Sequence, residues 1–245
     1  MARPRPARKR RRDRGFLDRL ADGLRTLRWW LLRAVSALFL LIVGWVIVYM
    51  LAPPPGGIYM WQEHRRLSGI ERQWVALDDI APVARRSVVA AEDARFCTHW
   101  GFDMAEIRTV IESGGRRGAS TISQQMVKNV FLWHGGRDWA RKALESGVTL
   151  LVEALWSKRR ILEVYLNVAE FAEGVFGIEA AAQHHFGVTA ADLSAQQAAR
   201  LAAVLPAPQM RSASAPSDFV RRRAQSIMDG AATIARDGRA ACFGG

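Results

Sequence analysis

Hydrophobic residues are arranged in two different ways along this chain. Residues 34–52 read AVSALFLLIVGWVIVYMLA, an apolar run without a single charge. As a helix it would span roughly 28 Å, about the hydrocarbon thickness of a bilayer. Trp29 and Trp30 precede it and Tyr49 lies near its end, where interfacial aromatics sit. Pro53-Pro54-Pro55-Gly56-Gly57 then stops any helix. A helix apolar on every side suits lipid better than a protein core, so the pattern predicts one transmembrane helix over 34–52.

Beyond residue 57 the apolar residues recur at three- and four-residue spacing. This period predicts helices over 85–94, 121–133, 137–156, 158–168, 177–185, 194–205 and 218–235. The third carries Leu144, Val148, Leu151, Val152 and Leu155 along one stripe. Gly114-Gly115, Gly135-Gly136, Gly174, Gly187, Pro206 and the run 212–217 fall between them as breakers. No stretch alternates in the manner of a strand, and there is no internal repeat. The expectation is an all-α domain over 61–245, with little or no sheet, behind a linker at 53–60.

Charge adds topology to this picture. The chain holds 35 Lys+Arg and 23 Asp+Glu, net +12 over 245 residues. Residues 1–33 carry 12 of the basic groups and three acids, net +9, leaving 23 against 20, or +3, for the rest. The basic excess belongs to a tail, which argues against nucleic acid as a partner. By the positive-inside rule the tail is cytoplasmic and everything after the helix lies on the far side, periplasmic if the cell has two membranes. The long apolar run, the long basic lead-in and the Pro-rich stop argue against the alternative of a cleaved signal peptide. Cys97 and Cys242 are too few for a disulfide framework or a four-thiolate zinc site; they could pair in a periplasm, but spacing does not show their Cα atoms coming close, and independence is the expectation.

Four segments carry candidate chemistry. Glu92-Asp93 closes an apolar helix and is followed by Phe96, His99 and Gly101; acids beside bulky apolar groups are how a fold raises a carboxyl toward acid–base use. Gly118-Ala119-Ser120-Thr121-Ile122-Ser123-Gln124-Gln125-Met126-Val127-Lys128-Asn129 has capping-box spacing at Thr121 and Gln124. A helix starting there would offer free N–H groups to a phosphate, with Lys128 one turn past Gln124. Arg141-Lys142-Ala143-Leu144-Glu145 places Arg141 and Glu145 on one helix face. The fourth, 158–167, reads KRRILEVYLN. Each segment also has a plain reading as a helix end, a solvated face or a surface ion pair.

Their order and spacing resemble the peptidoglycan glycosyltransferases (glycosyltransferase family 51), most closely the monofunctional membrane-anchored members. The pattern E-D-x-x-F-x-x-H-x-G falls on Glu92 to Gly101, G-x-S-T-I-x-Q-Q-x-x-K-N on Gly118 to Asn129, R-K-x-x-E on Arg141 to Glu145, and I-L-E-x-Y-L-N on Ile161 to Asn167. Ala119 and His185 depart from it, the first where glycine is common and the second where tyrosine is usual. No Ser-x-x-Lys motif is present, and no transpeptidase domain is expected.

The resemblance implies a lysozyme-like helical domain that polymerises lipid II and releases undecaprenyl diphosphate at the inner membrane. It implies Glu92 as base and Glu145 as the second catalytic carboxylate, either positioning a cation or assisting the leaving group. Lys128, Arg141, Lys142, Ser120, Thr121, Gln124, Gln125, Asn129 and Arg108 would bind the substrate and its pyrophosphate. No tightly bound cofactor or protein-only metal site is expected, and Mg²⁺ or Mn²⁺ would act at the diphosphate. Lipid II, the growing lipid-linked strand, the membrane and other cell-wall synthesis proteins are the expected partners. Arg159 and Arg160 lie outside the matched basic positions and are expected to tolerate alanine. The alternatives are a lysozyme-like enzyme that cleaves strands and a non-catalytic membrane-tethered scaffold.

Overall fold

The computed structural model describes residues 15–114, 118–135 and 139–244. The basic cluster at 8–12 lies outside them. The chain divides into two compact units, one ending at Trp45 and the other beginning at Val46.

Helix α1 (Phe16–Leu51) begins well before residue 34. Leu20, Leu24, Leu27 and Leu31 extend the helical spacing toward the N-terminus, and Asp22 takes a hydrogen bond from Thr26 through its carbonyl. The Arg33 guanidinium lies 3.5 Å from the centre of the Trp29 ring, a cation held against an aromatic at the head of the apolar run. Only 6% of the most apolar window is buried, which separates this helix from the core helix of a soluble fold.

The second unit opens with α2 (Ile58–Leu67), a helix inside the stretch expected to be linker. Gly57 makes this start possible: a Cβ there would lie 1.7 Å from the Asn129 carbonyl oxygen. Strand β1 (Glu71–Arg72) follows, then α3 (Pro82–Glu92), which has proline in its first turn, where no donor is lost. Next come α4 (Met104–Glu112), α5 (Ile122–Phe131), α6 (Trp139–Leu155) and α7 (Lys158–Val168). Strands β2 (Glu170–Ala172) and β3 (Val175–Phe176) precede α8 (Ile178–Phe186), α9 (Ala195–Val204) and α10 (Asp218–Arg236). The helical expectation holds. The sheet, in order β1-β3-β2, is a finding: β1 runs parallel to β3 and β2 antiparallel to it. Strands of two or three residues are too short to leave an alternating pattern.

Two helical layers build the core. One joins α3, α9 and α10. Helix α10 buries Val220, Ala224, Ile227, Ala231 and Ile234, a four-three-four-three stripe. Gly230 lets it approach α3, since a Cβ there would meet Ala90 Cβ at 3.2 Å. In the other layer α5 packs against α6 and α7 through Ile122, Met126, Val127 and Val130. Asn167 is fully buried at the end of α7, where its side chain bonds the N–H and carbonyl of Val75.

The cysteines are joined, contrary to the expectation that they stand apart. Cys97 and Cys242 form a disulfide with Cα atoms 5.7 Å apart. Helix α10 packs along α3 and delivers the C-terminal segment to the loop that follows Glu92. Phe243 is buried there 6.4 Å from Phe96, and Arg239 donates to the Ala94 carbonyl. Positions 145 residues apart in sequence give no local sign of such a meeting.

Candidate active site

Glu92 is the last residue of α3, and its two oxygens have different surroundings. Oε2 accepts a 3.0 Å hydrogen bond from Gln125 Nε2. Oε1 is buried without a hydrogen-bond partner, and the Arg223 guanidinium stands 3.8 Å away. Burial raises the pKa of this carboxyl above its ordinary value, against the pull of the Gln125 amide and Arg223. Gln125 is fixed in turn, because Tyr165 OH donates to its Oε1 at 3.1 Å.

Asp93 plays a different part. Its Oδ1 pairs with His99 Nε2 at 2.8 Å and its Oδ2 accepts from the Ile122 N–H at 3.0 Å. One buried side chain thus ties the end of α3, the loop beyond it and the start of α5 together. Gly101 finishes that loop at φ +77, and its carbonyl accepts from Thr121 Oγ1 at 2.6 Å. A Cβ at Gly101 would press on Thr149 at 2.7 Å.

The start of α5 is therefore closed rather than open to an anion. Thr121 and Gln124 form the capping box with each other, and Asp93 takes the Ile122 N–H. Both residues of the box are buried, and Gln124 Oε1 is spent on the Thr121 N–H, although Lys128 lies one turn on along the same helix face. The face left partly open holds Gln125, Lys128 and Asn129, spaced three and four apart. Ser120 is exposed and contributes its carbonyl to Gln125 Nε2 at 3.3 Å.

Lys128 forms no salt bridge among the described residues. Burial lowers its pKa, while the charge of Glu145 works in the opposite direction. Arg141, Lys142 and Glu92 also act on it, so this ammonium lies within electrostatic reach of both carboxylates. Glu145 is buried in α6, and each of its oxygens is held by a cation. Arg141 Nη1 reaches Oε2 at 3.3 Å and Lys142 Nζ bonds Oε1. Arg108 is exposed on α4, forms no salt bridge among the described residues, and is not drawn into this group.

A cavity of about 230 Å³ extends from Gln125, Lys128 and Asn129 to Tyr59, His134 and Glu170. Tyr59 donates to Glu170 Oε2 at 2.7 Å, and the His134 ring lies 4.1 Å from the Tyr59 ring. Burial, with Lys128 and Arg141 nearby, lowers the His134 pKa to about 4, so the ring is neutral at pH 7. Tyr165, Arg223, Tyr59 and His134 are absent from the residues nominated by sequence, and Asp93 enters there only as the neighbour of Glu92. Asp93 and Tyr165 stand inside the motifs. Arg223 has no sequence signal at all, since α10 brings it to Glu92 from far along the chain.

Asp93, His99 and Asp103 each place one donor atom within 4.8 Å of the others. Asp93 Oδ1 pairs with His99 Nε2, both Asp103 oxygens accept from Arg95 and one also from the Glu106 N–H, while His99 Nδ1 is buried without a hydrogen-bond partner among the described residues.

The transglycosylase family pattern matches residues 61–232. A biosynthetic peptidoglycan transglycosylase of Jannaschia sp. (strain CCS1) is 60% identical over 97% of this chain and 99% of its own length. Another, from Rhodospirillum centenum, is 52% identical over 85% of this chain and 92% of its own. A third, from Ectopseudomonas mendocina, is 48% identical over 86% and 88%.

Proposed function

Since the chain belongs to the transglycosylase family and is a peptidoglycan glycosyltransferase of cell-wall synthesis, we propose that it polymerises lipid II, with Glu92 as the base. The observation that carries this reading is Glu92 itself. One oxygen is locked by Gln125, the other is bare, and burial raises its pKa. A base held in that state takes a proton from a hydroxyl more readily than an exposed carboxylate does.

In this reading the 4-hydroxyl of an incoming GlcNAc gives its proton to the Glu92 carboxylate as its oxygen bonds the anomeric carbon of the donor MurNAc. The bond from that carbon to the diphosphate breaks, and its electron pair leaves with undecaprenyl diphosphate. One displacement turns an α-linked donor into a β-linked strand. Lys128, which has no salt-bridge partner among the described residues, meets the charge growing on the leaving group. Arg141 and Lys142 are held in place for the same anion by Glu145, which acts as their counterion. A divalent cation such as Mg²⁺ or Mn²⁺ would supply further charge neutralisation at the substrate diphosphate, beside Lys128, Arg141 and Lys142.

Helix α1 supports single-pass anchoring in the inner membrane, with the basic N-terminus cytoplasmic and the catalytic unit periplasmic. The test is polymerisation of lipid II by the full chain. Wild type should build polymer, and Glu92→Gln should bind substrate and build none. Cleavage of preformed strands, or near-normal turnover by the variant, would overturn the reading.

A further inference from the structure

The end of the membrane helix is gripped by side chains of the catalytic unit. Arg160, in the first turn of α7, donates from Nη2 to the Tyr49 carbonyl at 2.9 Å and the Ala52 carbonyl at 2.7 Å. Its Nε reaches the Tyr49 carbonyl as well, at 3.2 Å, and its Nη1 is anchored to Glu163 at 2.8 Å. The guanidinium also lies 5.4 Å from the Trp74 ring and 5.9 Å from the Trp156 ring. Trp156 Nε1 donates to the Val46 carbonyl at 3.0 Å. Arg72 donates to the Pro54 carbonyl at 2.6 Å and bonds the Pro55 carbonyl too.

These bonds answer a general need. The last carbonyls of a helix have no intrahelical donor, and near a bilayer leaving them bare is unfavourable. A helix joined to a domain by three prolines and two glycines could have had water at its end and a loose joint. Here the backbone from Val46 to Pro55 is bonded at five carbonyls by three side chains of the domain. The side chains that hold it sit on elements that also build the cleft. Helix α6 carries Arg141, Lys142 and Glu145 and ends just before Trp156. Helix α7 carries Arg160, then Tyr165, which holds Gln125 against Glu92.

We propose that Arg160, supported by Trp156 and Arg72, is a positioning residue that couples the membrane exit at residues 46–55 to the catalytic cleft, so that a lipid-anchored substrate is presented at the right height. The inference rests on the reading that the substrate is held in the bilayer. It also reverses the expectation that Arg160 tolerates alanine. Arg159 remains the fitting control, because it pairs with the exposed Asp78 and donates to no carbonyl of the exit.

The test compares wild type, Arg160→Ala, Arg160→Lys and Arg159→Ala as full chains in liposomes. Polymerisation is measured with long-chain lipid II in the bilayer and with a short-chain, water-dispersible lipid II analogue. Arg160→Ala should lose about tenfold in rate on the bilayer substrate and stay within about twofold on the analogue. Arg160→Lys should recover part, since an ammonium lacks the fork that spans two carbonyls. Arg159→Ala should match wild type on both. A second measurement needs no substrate: spin labels at Val48 and Ala154 should give a narrow distance distribution in wild type and a broad one in Arg160→Ala. Equal losses on both substrates would reduce Arg160 to a folding residue. A distribution that stays narrow in Arg160→Ala would overturn the clamp, whatever the activity. Wild type inactive on both substrates, with the distance change intact, would overturn the proposed substrate and not the clamp.

Discussion

Glu92 and Glu145 are both removed from water, yet their neighbours treat them in opposite ways. Glu92 is given one neutral donor, one bare oxygen and a guanidinium at 3.8 Å. Glu145 is given a cation on each oxygen. The first arrangement favours taking up a proton, and the second ties the carboxylate to two neighbouring cations. Sequence spacing alone makes the two acids look like a matched pair, whereas their partners differ, a neutral amide for Glu92 and two cations for Glu145.

The sharpest way to break this contrast is to remove charge from each side in turn. Glu92→Gln keeps the Gln125 contact within reach but has no basicity, and polymerisation should fall by about 10²-fold or more. Turnover of lipid II by purified full-length protein checks this. Lys128→Ala should come next, lowering kcat at saturating lipid II by about 2–4 kcal/mol for the loss of a desolvated donor to developing charge. A change confined to KM would mean that Lys128 binds the ground state and the transition state alike.

Glu145→Gln should have a smaller effect, about 1.5–3 kcal/mol, because the cations lose their charged acceptor but remain present. In a double-mutant cycle its effect should be coupled to that of Lys142→Ala and not to Glu92→Gln. Strong coupling to Glu92 would make the two acids a functional pair after all.

Titration sharpens the contrast further. The acid limb of kcat should lie above the ordinary carboxylate range, because buried Glu92 takes up its proton at higher pH. The same shift works against stability. Between the unfolded and folded values, the folded chain holds a proton that the unfolded chain has released, so stability falls as pH rises through that window. Glu92→Gln should therefore melt higher than wild type at pH 7, by roughly 0.5–2 kcal/mol, a stability gain at the expense of activity. The smallest effect is expected at His134. Its folded value of about 4 lies below the ordinary 6.5, so stability should fall as pH drops through that interval. His134→Gln should flatten that part of a melting-temperature profile.

What could be read in advance follows from the range of the forces involved. The helices after residue 57 leave three- and four-residue stripes, and six of the seven predicted beyond 80 differ from the observed spans by a few residues at their ends; 158–168 coincides. Glu92, Lys128 and Glu145 were legible because motif order placed them together. Thr121 and Gln124 match the substrate-binding pattern in sequence, but a capping box spends both on the helix itself. Helix α2 was missed because Ile58 to Trp61 follow a proline stop and resemble a linker. Arg223, the disulfide and the grip of Arg160 on the exit all join distant segments, and no local pattern records them.

The disulfide has a further consequence. It closes residues 97–242 into a covalent ring, and every catalytic motif after Glu92-Asp93 lies within that ring. A protease that cuts once between residues 98 and 241 would not release a fragment. The nicked enzyme would run as one species on a non-reducing gel and as two after reduction. In a compartment with many hydrolases, the ring would keep both halves of a damaged cleft on the same anchor.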